Sequence, residues 1–149
     1  MKEKISTEDL LLLVKQLDLS LEAHMNRSLG RRDLSGSQAA VLCHILRHHP
    51  EGSCIQELCG ELGVTHATLS LMIKKMQEKG YLSVRADETD RRKKRVTATD
   101  KLFREDPYAL KKSAQTEALI CQTLDGQERR ELYRLQKKLL QGIRGCGKT

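Results

Sequence analysis

Residues 54–99 decide the fold of this chain, and they read CIQELCGELGVTHATLSLMIKKMQEKGYLSVRADETDRRKKRVTAT. Two short amphipathic patterns lie on either side of residues 63–65, and two short β-like runs follow at 81–85 and 95–99. The polar loop between these runs ends in four consecutive cations. A helix, a tight turn, a second helix and a basic hairpin form the pattern of a winged helix-turn-helix, a shape that fits duplex DNA.

The second helix of this pair, predicted over 65–79, has one apolar and one polar face. Leu69, Met72, Ile73 and Met76 recur at helical spacing and are expected to face the core. The opposite face could be ordinary solvated surface, but the basic hairpin that follows it favours contact with DNA. The residues expected to reach base edges or phosphates are Thr65, which also caps the helix, His66, Thr68, Ser70, Lys74 and Lys75.

The predicted wing, 81–99, carries the densest positive charge of the chain. Its loop also contains acids at positions 87, 88 and 90. A loop that only bound phosphate would not need three carboxylates, so we expect Asp90 to brace it from inside by accepting hydrogen bonds. An arginine at the tip suits the negative potential of a narrow minor groove. The wing cations expected at DNA are Arg85, Arg91, Arg92, Lys93 and Lys94.

Helical patterns flank this module on both sides. The first begins at Ser6 or Thr7 and carries leucines on more than one face, so it is either core or, in our interpretation, a dimer seam. Two further apolar helices follow the wing, one over 108–124 after a break at Pro107 and one that opens at 125, and the Gly-rich end from Gly142 is expected to fray. The prediction is therefore mainly α with a small β-hairpin (α+β): an N-terminal dimerisation helix in 1–34, a winged helix-turn-helix in 35–99, and C-terminal dimerisation helices with a frayed tail in 100–149.

Composition narrows the classes of function. The formal net charge is +7, from 27 Lys and Arg against 20 Asp and Glu, which favours a polyanionic partner. Aromatic residues make up only 3%, too few for a platform that stacks single strands. No apolar run approaches the roughly 18 residues of a membrane span, and five scattered cysteines do not suggest a disulfide framework. We expect a cytoplasmic protein that does not bind membranes.

The sequence offers no motif for catalysis. It contains no phosphate-binding glycine loop, no H-E-x-x-H, no G-x-S-x-G and no C-x-x-C. We therefore expect no enzyme, no catalytic residue and no cofactor. The alternative to a DNA-binding regulator is a winged-helix module that binds proteins instead, although such a module would not need a run of cations in its wing.

Three segments resemble the MarR family of bacterial transcription regulators. Residues 55–64 are similar to its first helix and turn, residues 65–82 to its recognition helix, and residues 87–96 to its wing motif D-x-x-D-R-R-x-x-R-V. The resemblance implies a homodimer that binds a pseudopalindromic operator on double-stranded DNA, usually as a repressor. It also implies that Asp90 braces the wing and that Arg92 enters the minor groove, with Arg91 beside it.

The chain departs from the family pattern at three positions. Leu71 stands where the family often has a cation, so base reading is expected to depend more on its polar neighbours. Leu102 replaces a glycine and Ala98 a leucine, which affects local packing rather than the fold.

The sequence does not identify the signal that such a regulator would sense. The resemblance implies a small-molecule effector in the crevice between the dimer region and the DNA-binding lobe, where the candidates are Leu17, Leu21, His24 and Arg47. The family's reactive cysteine in the first helix is absent here. Cys54, at a predicted helix start, is a candidate redox site or an inert filler.

A helix is also predicted from Gln38 to about His48, capped by Ser35 or Ser37, and two of its histidines have a spacing that can hold a metal. His44 and His48 lie at i and i+4, with Cys43 nearby. Without a third ligand in view, polar surface is the simpler interpretation. No metal site is predicted.

Overall fold

The computed structural model describes residues 4–31 and 33–146 of the chain. They form two compact units that divide between Ser113 and Ala114. The elements in chain order are α1 (Thr7–Leu29), α2 (Gly36–His48), β1 (Ser53–Cys54), α3 (Ile55–Leu62), α4 (His66–Glu78), β2 (Leu82–Ala86), β3 (Lys94–Ala98), α5 (Lys101–Glu105), α6 (Ala109–Cys121) and α7 (Gly126–Cys146). The predicted class, mainly helical with a small antiparallel sheet, is confirmed.

Polar side chains set the starts of the helices. Ser6 caps α1 in a capping box with Asp9, and Ser35, rather than Ser37, caps α2 in a capping box with Gln38. In each box the serine hydroxyl accepts from a first-turn backbone N–H that has no partner inside the helix. Thr65 does the same for α4, accepting from the backbone N–H of Thr68.

The sheet has three antiparallel strands in the order β1-β3-β2. Val96 in β3 pairs with Val84 on one side and with Ser53 on the other. Strand β1 was not predicted, because two residues carry no periodic signal. Its approach to β3 requires Gly52, which has φ +98°, and a Cβ there would lie 2.6 Å from Thr97 Oγ1.

The core of the first unit lies where α2, α3, α4 and the sheet meet. Leu42, Ile45, Leu58, Leu69 and Val96 are fully buried there. Of the predicted inward face of α4, Leu69, Ile73 and Met76 are buried, and Met72 is half-buried and packs against the core. This packing holds α4 against β2 and so sets the position of the wing beside it.

Several predicted boundaries differ from the structure. Strands β2 and β3 are displaced by one residue, and α6 ends at Cys121 instead of Leu124. Gly142 lies within α7, which continues to Cys146, so the predicted fraying does not begin there; the rest of that predicted tail, 147–149, lies outside the described residues. Glycine costs a helix only about 1 kcal/mol relative to alanine, and the amphipathic pattern of α7 continues past it.

Candidate nucleic-acid interface

Helix α4 presents the polar face that the sequence predicted. His66, Thr68, Lys74 and Lys75 are exposed, and Ser70 is half-buried. The Ser70 hydroxyl lies 3.1 Å from Nδ1 of His66, one helical turn earlier. This contact links the two side chains most able to exchange hydrogen bonds with base edges, because hydroxyl and imidazole can each donate and accept.

The wing is a hairpin whose loop is tied across its base. The backbone N–H of Asp87 donates to the carbonyl of Lys93 at 2.9 Å, and the N–H of Lys93 donates to the carbonyl of Asp90 at 2.9 Å. The Asp87 carboxylate accepts from both the N–H and the hydroxyl of Thr89, at 2.9 and 2.7 Å. These hydrogen bonds, with a smaller contribution from the charge of Arg95, lower the pKa of Asp87. Asp87 is thus a second bracing acid, one that sequence reasoning missed.

Asp90 lies beside the arginine at the tip of the wing. Its Oδ1 accepts from the backbone N–H of Arg92 at 3.1 Å and faces Nε of the same residue at 3.4 Å. The Arg92 side chain is nevertheless 94% exposed. The carboxylate therefore orders the backbone that carries the guanidinium and leaves the guanidinium itself open to a partner.

A cleft of about 640 Å³ lies between α4 and the wing. Apolar side chains at its base include Ile73 and Val84. Six of the predicted DNA-contacting residues line it, three from the helix and three from the wing: His66, Ser70, Lys74, Arg92, Lys93 and Lys94. The fold thus brings the polar helix face and the basic loop together on one concave surface.

Other predicted contact residues lie elsewhere. Arg85 lines a second cleft of about 370 Å³ with Glu51, Asp87 and Glu88, where the surroundings are largely acidic. Strand geometry explains this placement, since Val84 and Arg85 point to opposite faces of the sheet. Arg91 is exposed on the loop, while Thr65, Thr68 and Lys75 lie on α4 outside the lining of the first cleft.

A buried tyrosine fixes the junction between α4 and the wing. Tyr81 is fully buried, and its single hydroxyl hydrogen is shared between two carboxylate oxygens, Glu105 Oε2 at 2.7 Å and Asp33 Oδ1 at 3.0 Å. Burial first, then hydrogen bonding to Glu105 and to Asp33, raise the pKa of Tyr81 well above its usual range. Lys101 lies 4.5 Å from the ring centroid. Sequence reasoning missed this cluster because its members are far apart in the chain.

The predicted effector residues do not line either of these two clefts. Leu17 and Leu21 are 49% and 41% exposed on α1, and His24 is half-buried. Arg47 donates to the carbonyl of Leu110 at 3.4 Å.

The structure also shows the surroundings of the residues considered as redox or metal sites. Cys54 is half-buried at the start of α3, makes no capping hydrogen bond and lines the first cleft. His44 and His48 lie with their ring centroids 4.7 Å apart. The ring nitrogen of His44, however, contacts Glu61 of α3, a partner that helical spacing could not reveal. Cys43 is buried.

Across 4–31 and 33–146, no helix combines the length and the apolar character that a bilayer span requires.

Residues 34–101 match the family model of the winged helix DNA-binding domain. This part of the chain is therefore similar to that domain, and the chain shares its fold with solved MarR transcription regulators, so the predicted resemblance is confirmed at the level of the fold. No curated protein matches the chain in sequence.

Three solved structures illustrate this likeness. MepR from S. aureus in complex with DNA is 16% identical, with a TM-score of 0.77 over 94% of this chain and 99% of that chain. The regulator MarR from Oenococcus oeni is 19% identical, with a TM-score of 0.77 over 89% and 99%. BpsR from Bordetella bronchiseptica, whose DNA binding is regulated by 6-hydroxynicotinic acid, is 20% identical, with a TM-score of 0.69 over 87% and 97%.

Proposed function

We propose that this chain is a homodimeric, sequence-specific transcription regulator that binds a pseudopalindromic operator in double-stranded DNA. The observation that carries the proposal is the convergence of the α4 face and the wing cations on one cleft. Recognition helices read base edges in the major groove, and cations beside them bind the phosphates. The similar fold of MepR, solved as a DNA complex, supports the same use of this surface.

The proposed homodimer rests on the apolar surface that a single chain leaves uncovered. On α1, Leu10 to Leu13 are each at least 52% exposed. On α7, Leu135, Leu139 and Ile143 are between 46% and 59% exposed and recur at helical spacing. Contiguous apolar surface of this kind is typical of protein interfaces, and a twofold axis would place two recognition helices about 34 Å apart, one DNA turn.

We assign the regulator a repressor role that a small molecule or a stress signal relieves. Support for this finer statement comes from similar folds alone. BpsR is regulated by 6-hydroxynicotinic acid, and PcaV from Streptomyces coelicolor was solved with its natural ligand. In this chain the signal would act by changing the distance or angle between the two recognition helices, since operator affinity depends on both half-sites.

The test is a fluorescence-anisotropy titration with duplex DNA from the chain's own promoter, at several salt concentrations. Wild type is expected to bind this duplex more tightly than a scrambled one. Arg92→Ala should weaken binding and should make the slope of log affinity against log salt shallower by about one unit, because one phosphate contact is lost.

Arg104→Ala provides the matched control. Arg104 carries the same charge in the same unit, is 69% exposed and does not line the cleft. Its removal should leave the slope unchanged. Absence of binding at low salt would instead overturn the proposal and favour the alternative, a winged-helix module that binds proteins.

A further inference from the structure

A cluster of two histidines and a glutamate lies between α2 and α3. Nε2 of His44 is 2.7 Å from Glu61 Oε1, and Nε2 of His49 is 2.8 Å from the same oxygen and 3.0 Å from Oε2. All three ligand atoms lie within 4.8 Å of one another. Both imidazoles are half-buried, whereas the carboxylate lies at the surface.

The local fold explains why these three side chains meet. His44 is in the third turn of α2, and α2 ends at His48. His49 then leaves the helix with φ −137° and ψ 58°, which turns its ring back toward the side of α2 that faces α3. Glu61 is in the last turn of α3. In the structure, His44 therefore meets His49 and Glu61 of α3, and not His48, the i+4 partner that the sequence suggested.

The donor set matches a divalent transition metal better than a hard cation. Ca²⁺ and Mg²⁺ prefer oxygen ligands, whereas two imidazole nitrogens and one carboxylate are ligands that Zn²⁺ binds with a fourth position left for water. Zinc bonds of about 2.0–2.1 Å in tetrahedral geometry separate ligand atoms by about 3.3 Å. The two nitrogen–oxygen separations are 2.7 and 2.8 Å, and no two ligand atoms are more than 4.8 Å apart. Rotations of exposed or half-buried side chains would bring all three to the distances that the ion requires.

The two imidazoles also converge on one acceptor. Nε2 of His44 and Nε2 of His49 both approach Oε1 of Glu61, at 2.7 and 2.8 Å. A solvated carboxylate would be satisfied by water alone, so this convergence is more than surface polarity requires.

We propose that His44, His49 and Glu61 form a binding site for one divalent transition-metal ion of the Zn²⁺ type. The ion takes the place of the hydrogen bonds between the imidazoles and the carboxylate: each ring binds it through an unprotonated Nε2 and keeps its one hydrogen on Nδ1. It joins the C-terminal end of α2 to the last turn of α3, which is the first helix of the helix-turn-helix. The site is separate from the DNA-binding cleft and does not depend on the proposed function.

Binding is measured on the full-length chain, freed of metal by a chelator and kept reduced so that the cysteines stay as thiols. Zn²⁺ is titrated in competition with a chromophoric chelator. Wild type should bind one equivalent with a dissociation constant below about 10 μM. His49→Gln and Glu61→Gln should each weaken binding at least about tenfold, since each removes one of three ligands.

His48→Gln is the matched control. His48 is exposed and its ring is 4.7 Å from that of His44, but it lies outside the three-residue cluster. This variant should bind like wild type. If His48→Gln weakens binding as much as His49→Gln, the metal is held by a loose group of surface histidines and the proposed site is wrong.

Two further measurements distinguish the proposed site from metal binding by cysteine and from a loss of folding in the variants. Co²⁺ in place of Zn²⁺ should give visible absorption without a thiolate charge-transfer band; such a band would assign the metal to cysteine and overturn the proposal. Zn²⁺ should also raise the melting temperature of wild type and His48→Gln but not of Glu61→Gln, because a ligand stabilises only the state that binds it. Circular dichroism checks that each variant is folded.

Discussion

The hydroxyl of Tyr81 donates a 2.7 Å hydrogen bond to Oε2 of Glu105, and the same carboxylate oxygen lies 3.2 Å from Arg31. This relationship connects the residue just before β2 with α5 and with the turn after α1. The position of the wing beside α4 is therefore tied to groups that lie outside the cleft between them. Substitutions at this cluster should act on the stability of the domain rather than on its contacts with DNA.

Tyr81→Phe should lower the free energy of unfolding by about 1–2 kcal/mol, because it removes the hydroxyl hydrogen that the carboxylates of Glu105 and Asp33 share while keeping the buried ring. Urea denaturation measures the change. Tyr133→Phe removes the same hydroxyl from a side chain that is 61% exposed, and should change stability by less than about 0.5 kcal/mol. If the two substitutions changed the free energy of unfolding equally, the hydrogen bonding of Tyr81 would contribute nothing to stability.

Asp90→Ala should weaken operator binding several-fold, because the N–H of Arg92 loses its acceptor and the wing tip becomes less ordered. Simple charge repulsion predicts the opposite sign, since removing an acid next to DNA should tighten binding. Glu88→Ala removes an exposed acid from the same loop and should leave affinity unchanged or raise it. Anisotropy titrations of both variants distinguish bracing from repulsion; tighter binding by Asp90→Ala would contradict bracing.

Leu139→Glu should raise the dissociation constant of the proposed homodimer at least about 100-fold, because it buries a charge in the apolar seam of both subunits. Sedimentation velocity across a concentration series measures it. Gln141→Glu introduces the same carboxylate two residues further along α7, about 200° around the helix, and should dimerise like wild type. A dimer that survives Leu139→Glu would place the interface elsewhere.

Asp106 gives the stability of the first unit a pH dependence. Its hydrogen bond with Lys112 first, then the N–H of Tyr108 and the charges of Lys112 and Arg31, lower the pKa of Asp106 below its model-peptide value of 3.8. A carboxylate with a lower pKa in the folded state stabilises above the unfolded pKa, and this contribution disappears as pH falls through the folded value.

Asp106→Asn should therefore cost about 1–2 kcal/mol at pH 7 and progressively less below about pH 4. Urea denaturation of wild type and variant at pH 7, 5 and 3.5 measures the difference. Asp18→Asn, at an exposed position on α1, is the control for a general effect of one lost charge. A difference that stays constant with pH would show that Asp106 acts through packing and not through its charge.

Sequence periodicity predicted the elements well because it is a local property. The apolar face of α4, the cap at Thr65 and the two hairpin strands all depend on residues within a few positions of one another. The D-x-x-D-R-R-x-x-R-V pattern likewise located the wing and its Asp90. These signals were sufficient for the fold class and for much of the surface that faces the cleft.

What the sequence could not predict depends on distant partners. Strand β1 exists only because Ser53 meets Val96 across 43 positions, and Tyr81 is buried with an acid from the turn after α1 and another from α5. The metal cluster was missed because Glu61 approaches the histidines from another helix, and His49 joins them only after α2 has ended. Arg85 was assigned to DNA by charge alone, and strand alternation places it in the other cleft.

The central position of β3 restricts how the chain can change in length. Because β3 pairs on both sides, inserting one residue between Lys94 and Val96 would exchange its two faces, expelling a fully buried valine and turning Arg95 toward the core. An insertion among residues 88–92 would only lengthen a solvated turn. Insertions and deletions should therefore accumulate at the tip of the wing, where they alter its reach along DNA, and should be absent from its base.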